Sequence, residues 1–176
     1  MDTYTVSFFG HRELDSPILI EEQLETIVLN LLSTKAYIEF LVGRDGDFDL
    51  LAASVIHRCK RTFRNDNSSL VWVMPYPTAE YRDNESAYRA YYDEIEICRE
   101  SSGKHFKTAF QLRNRSMIDR SDLAVFYVQR KSTGAWKTLE YARKHGTPVI
   151  CTDAAKTNLD EHCSSRKLSG FLFHYL

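Results

Sequence analysis

The hydrophobic period of this chain switches repeatedly between the values that helices and strands impose, and that alternation restricts the fold more than any single motif. Tyr4 to Phe9 (YTVSFF) is a β-rich run that stops at Gly10. Beyond a polar loop, with Pro17 near the next helix start, Ile20, Leu24, Ile27, Val28, Leu31 and Leu32 recur at helical spacing. Tyr37 to Val42 reads as a second strand. A helix follows from Phe48, its apolar stripe formed by Leu51, Ala52, Val55, Ile56, Cys59 and Phe63. Leu70 to Met74 (LVWVM) is a third strand, closed by Pro75 and Pro77. The Tyr-rich residues 76–105 are less regular, with a short helix predicted from Glu85 to Tyr92 and a short strand around Ile95 to Cys98. A helix from about Lys104 to Ile118 leads into Leu123 to Val128, whose unbroken apolar character fits a parallel strand covered on both faces. Thr133 to His145 is the last helix, capped by Gly146, and Thr147 to Cys151 the last core strand. The pattern predicts an α/β fold with a mainly parallel sheet, because right-handed crossovers lay helices on both of its faces.

A length of 176 residues suits one domain, expected to span 1–176 with a core at about 3–151 and a tail, 152–176, packing on that core through FLFHYL. With 23 basic against 24 acidic residues, bulk electrostatics give no grip on nucleic acid or anionic lipid, so nucleic acid is disfavoured as a partner. No apolar run approaches the roughly 20 residues of a membrane span, and the amino terminus lacks the sections of a signal peptide. A cytoplasmic location without membrane partners is expected. Cys59, Cys98, Cys151 and Cys163 are widely spaced with no C-x-x-C pair, which favours reduced thiols over a zinc site or a disulfide framework. The histidines show no H-E-x-x-H spacing and no serine lies in a G-x-S-x-G turn, so neither metal nor cofactor is expected.

Ligands of open parallel sheets bind beyond the carboxyl ends of the strands, which directs attention to four segments. Gly10-His11-Arg12 follows the first strand, where His11 and Arg12 either hold an anion or form an ordinary solvated loop. FLVGRDGDFDLLAA, Phe40 to Ala53, fails as an EF-hand: counting from Asp45, Leu50 and Ile56 stand where glycine and an acidic ligand are required. Its aspartates fall at a helix entrance, where carboxylates cap backbone N–H groups, and Gly43 and Gly46 would let the backbone approach a ligand. Only Arg44 is at hand to offset those carboxylates beside a phosphate, so Asp47 or Asp49 is better suited to hydrogen-bond a ribose hydroxyl or to orient the loop. In FQLRNRSMIDRSD, Arg113 and Met117 share a helix face with Phe106 and Phe110. The partly buried guanidinium then needs Asp119, Asp122 or a bound phosphate, the alternative being a solvated basic helix end. In KSTGAWKTLEYA, Ser132, Thr133 and Gly134 open a helix, either as an anion site or as a normal N-cap.

Taken together, FFGHR, GRDGDFDLLAA, RNRSMIDRSDLAVFYV and STGAWKTLEYARKHGTPVI resemble the SLOG superfamily over about residues 3–151, and within it the YpsA-like bacterial proteins. The superfamily also includes the Lonely guy phosphoribohydrolases and the DNA-processing protein DprA. The resemblance implies a Rossmann-like three-layer α/β/α sandwich that binds nucleotides or nucleotide-derived ligands at the strand ends. It matches Gly43 and Asp49 to the ends of a glycine-to-aspartate loop, Arg113, Asn114 and Arg115 to a basic helix end, and Thr133, Gly134 and Thr138 to a second phosphate loop. In the Lonely guy enzymes that loop reads P-G-G-x-G-T-x-x-E, and its glutamate assists cleavage of the bond between base and ribose. Here Tyr141 stands at that place and Glu140 one residue earlier, about 100° away around the helix. The paired glycines are absent, with Thr133 before Gly134 and Ala135 after it.

The resulting expectation is a nucleotide-type small-molecule ligand held by a sensor or regulatory module. Its phosphates would sit on the helix starts near Asp47 and Gly134, with Arg12 and the Arg113 to Arg115 cluster supplying charge. The alternatives are a nucleoside monophosphate phosphoribohydrolase using Glu140 and, ranked third, single-stranded DNA binding in the manner of DprA. Self-association into a homo-oligomer is compatible with each.

Overall fold

The computed structural model describes residues 2–101 and 103–152. Its elements run β1 (Tyr4–Gly10), α1 (Pro17–Thr34), β2 (Ile38–Val42), α2 (Asp47–Thr62), β3 (Ser68–Met74), α3 (Ala79–Asp83), α4 (Glu85–Tyr91) and β4 (Glu94–Ile97). A 3-10 turn, Arg99–Ser101, then precedes α5 (Phe106–Asp119), β5 (Leu123–Tyr127), α6 (Gly134–His145) and β6 (Val149–Cys151). The strands form one sheet in the order β4-β3-β2-β1-β5-β6, and every pairing is parallel. The architecture is a Rossmann-like three-layer α/β/α sandwich, wholly parallel where the sequence predicted a mainly parallel sheet.

Strand periodicity assigns the two cores. Val6 and Phe8 of β1, with Leu70, Trp72 and Met74 of β3, face α1 and α2; Phe9, Val71 and Val73 alternate to the other face, under α5 and α6. The chain moves outward from β1 to β4 along one direction, then returns through α5 to place β5 on the opposite side of β1. Right-handed crossovers therefore put α1 and α2 on one face and α5 and α6 on the other. The strand order reverses at the β1/β5 seam, where the two outgoing loops diverge and leave a crevice.

Local chemistry sets the ends of the helices. Pro17 occupies the first turn of α1, and Gly146 ends α6 at φ 86°, a left-handed conformation that glycine adopts without steric cost. The helix α3 was not foreseen; Thr78 starts it by accepting a hydrogen bond from the Tyr81 N–H at 3.1 Å. Beside it, Trp72, Tyr81, Tyr88 and Tyr92 pack as an aromatic cluster, which joins the Tyr-rich insertion to the core under α1 and α2. Cys59 and Cys98 are free and buried, as expected, but Cys151 is disulfide-bonded. Proximity in space governs such bonding, and widely spaced cysteines do not reveal it. Among the described residues no helix is long and apolar enough to cross a membrane. The expected docking of FLFHYL lies outside the described residues.

Candidate functional site

The loops leaving β1, β2 and β5 and the helix α5 enclose a cleft of about 480 Å³ at the β1/β5 seam. It brings together Gly10, His11 and Arg12 from the first segment, Gly43, Gly46 and Asp49 from the second, Arg113 and Asn114 from the third, and Thr133 and Gly134 from the fourth. Four segments distant in sequence thus meet as the sheet rule requires. Asp45, Phe110 and Arg130 join them without having been singled out as ligand contacts, since no local motif marks them.

Arg113 organises the floor. Its side chain is only 5% exposed, and Nη1 donates to the Val73 carbonyl at 3.1 Å while Nη2 donates to Asp45 Oδ2 at 2.5 Å. The anionic partner is therefore Asp45, neither Asp119 nor Asp122. Asp119 instead accepts the Tyr141 hydroxyl at 2.6 Å, and Asp122 accepts the Thr5 N–H at 2.8 Å. The Asp49 carboxylate completes the group: its Oδ2 accepts the Asp45 N–H at 3.0 Å, close under Gly43. Burial of this carboxylate pushes its pKa up to about 6, against the opposing pull of Arg113. Asp49 is thus a loop-orienting group, and the N-cap of α2 is Gly46 with no side-chain cap. Arg113 Nε and Asn114 Oδ1 remain buried without a hydrogen-bond partner among the described residues. Each could be satisfied by a polar ligand atom or water in the adjoining cleft.

The glycines divide into two kinds. A Cβ at Gly10 would run into the Phe48 ring, one at Gly46 would lie 2.5 Å from Arg12 Cα, and one at Gly43 would lie 2.5 Å from both Arg113 Nη1 and Asp49 Oδ2. These three pack closely against the protein itself, while Gly43 and Gly46 also line the cleft. Gly134 differs: a Cβ there would meet nothing within 4 Å, and the residue has no positive φ to explain it. It opens α6 directly beside the cleft. The preceding Thr133 caps that helix by accepting the Trp136 N–H at 3.2 Å, after Ser132 at φ 69°. Thr138 holds the first turn from behind, donating to the Gly134 carbonyl and accepting from Asn114 Nδ2, both at 3.0 Å.

Several expected charges point elsewhere. Arg44 pairs with Glu80 at 2.9 Å and lies 4.7 Å from the Tyr88 ring centroid, so it serves the aromatic insertion and does not offset the aspartates. Arg115 sits 5.1 Å over the Tyr141 ring, outside the cleft lining. His11 lines the cleft, but its Nε2 accepts the Gln129 N–H at 2.8 Å and the Arg130 N–H at 3.1 Å. Acceptance at that nitrogen requires the uncharged ring, and burial together with Arg130 lowers the His11 pKa accordingly. His11 therefore ties the β1 exit to the β5 exit and is not a cationic grip. Arg12 and Arg130 are exposed at the lip, where their charge is free to meet an anion. Glu140, required by the hydrolytic alternative, is exposed on α6 and outside the cleft lining.

Away from the cleft, Glu39, Glu94 and Glu96 bring carboxylate oxygens within 4.8 Å of one another, a cluster split between β2 and β4 that spacing in the sequence conceals. Arg120 already binds both oxygens of Glu96, at 3.2 and 2.6 Å.

Fold and crevice together define a Rossmann-like protein with its cleft at the topological switch point. No model of a known protein family matches the sequence, and no curated protein matches it significantly. Solved structures do match in fold. DNA processing protein A from Helicobacter pylori, which binds single-stranded DNA, superposes with a TM-score of 0.59 at 15% identity, covering 84% of this chain and 64% of its own. DprA from Streptococcus pneumoniae gives 0.59 at 16% identity, covering 85% of this chain and 50% of its own. The chain thus spans less than two thirds of either protein, and at such identity the likeness establishes the fold alone.

Proposed function

We propose that the cleft binds a nucleotide or nucleotide-derived ligand, with the phosphate on the N-terminus of α6 and the protein acting as a sensor or regulatory module. The observation that carries this reading is Gly134, a helix-opening glycine with no steric reason within the protein and open space before it. Free N–H groups and the positive end of the helix dipole favour an anion at such a position. The buried, unpartnered Arg113 Nε and the exposed Arg12 and Arg130 add donors and charge around the same space. We further assign the chain to the SLOG superfamily as a YpsA-like member, on the sequence resemblance together with the fold shared with the DprA proteins.

The test is thermal stabilisation and calorimetry with nucleoside monophosphates. A ligand at 100 times its dissociation constant adds about 2.7 kcal/mol. Gly134→Leu should leave the unfolding midpoint within a few degrees, because a Cβ there meets no protein atom, and should abolish binding if the phosphate sits at this helix start. If no nucleotide stabilises the protein, or if Gly134→Leu binds as well as wild type, the reading fails.

Single-stranded DNA is the second reading, favoured by the Helicobacter neighbour and by the exposed arginines at the lip. It requires an affinity for oligodeoxythymidylate that falls steeply with salt, since each neutralised phosphate contributes about 0.7 to the logarithmic slope for single strands. Mononucleotide binding with little salt dependence would decide against it.

A further inference from the structure

We propose that Phe110, Phe106 and Tyr76 form the base-stacking wall of the same ligand site, so that the ligand carries a planar ring as well as a phosphate. This rests on the phosphate position argued above and adds the other half of the ligand. Phe110 is the shared residue: it lines the cleft, and the Phe106 and Tyr76 ring centroids lie 5.9 and 6.1 Å from its own, at interplanar angles of 84° and 77°. Neither neighbour stacks flat on it. Phe106 is 46% exposed and Tyr76 and Phe110 are half-buried; only Phe110 lines the cleft, and the other two extend its aromatic surface outward from the rim.

The helix α5 sets the spacing. Phe106, Phe110 and Asn114 follow at intervals of four residues, which places them on one face about 6 Å apart. Asn114 lines the cleft and donates to Thr138 of α6, so along α5 the two rings lie about one and two helical turns beyond the residue that meets α6. The Arg113 guanidinium, 5.6 Å from the Phe110 centroid, braces the nearer ring from the cleft floor. Aromatic ring faces recognise any base by its π-face, so the wall should select for a nucleobase over a bare sugar phosphate while discriminating weakly among bases.

Calorimetric titration with adenosine 5′-monophosphate and with ribose 5-phosphate, on wild type and on Phe106→Ala, Tyr76→Ala and Phe110→Ala, tests this. The expected result is a loss of roughly 5- to 100-fold in affinity for the nucleotide with ribose 5-phosphate binding unchanged, and restoration by Phe110→Tyr. Phe106→Ala removes an exposed ring and keeps the test open should Phe110→Ala fold poorly. If both probes bind and no ring variant weakens the nucleotide, the stacking wall is overturned while the phosphate reading stands. If neither probe binds, both are overturned.

Discussion

At the scale of single residues, most of the cleft's unusual positions are explained by what they exclude. Gly43 has Arg113 Nη1 and Asp49 Oδ2 at the place where a side chain would begin, so Gly43→Ala should destabilise the protein by about 2 kcal/mol in urea unfolding, whereas Gly134→Ala should be neutral or slightly stabilising. Comparing the two separates a packing glycine from one facing open space. Asp49 has a consequence of opposite sense to an ordinary ion-paired carboxylate. Its folded pKa, about 6, lies above the usual 3.8, so the folded state binds more protons than the unfolded chain between those values. Stability contributed by protonated Asp49 is complete below about 3.8 and is lost as pH rises through about 6, by at most about 3 kcal/mol. Asp49→Asn should flatten that part of the pH–stability curve; an unchanged slope would mean the carboxylate is not held in this way.

Elements were far more legible in the sequence than the directions of their side chains. Period-2 and period-3.6 patterns located all six strands, because a buried strand such as β5 and an amphipathic helix such as α2 each expose their environment in composition. The edge strand β4, with sequence EIEI and partial exposure, carries a weaker signal, and it lies one residue earlier than predicted. The four loops of the cleft followed from topology. Within them, however, adjacent residues part company: Arg113 turns into the floor while Arg115, two positions on, covers Tyr141. Spacing along a helix gives the face a residue occupies, but not which partner meets it there. Arg44 shows the same limit, since its partner Glu80 comes from α3, which was not foreseen.

Two element-level measurements follow. Arg113 joins α5 to β3 through Val73 and to the β2–α2 loop through Asp45, so Arg113→Ala should cost about 3 kcal/mol by leaving acceptors and carboxylates unpaired. Asp45→Asn should recover part of that loss in a double-mutant cycle. Thr133→Ala removes the cap of α6 and should cost about 1 kcal/mol without altering the core.

For the whole molecule, the seam between β1 and β5 is where pH dependence and fold meet, beside the proposed ligand site. His11 joins the two strand exits only as a neutral ring, and its folded pKa is below the ordinary 6.5. Its contribution is therefore full above the unfolded value and is lost as pH falls through the folded one. The stability difference between wild type and His11→Ala should shrink on acidification; a difference that grew instead would refute the neutral latch. The strand order also carries a history of assembly. The pairings from β1 through β4 join successive segments, but the β1/β5 seam closes across 118 residues between His11 and Gln129. Such distant closure is entropically late, so the half-sheet bearing Trp72 should consolidate before the half bearing Trp136. Refolding followed in Trp136→Phe and Trp72→Phe, each with one tryptophan left to report, should show the first signal leading the second. Among the described residues the cleft would then be the last feature to form, because its two walls meet only when β5 docks beside β1.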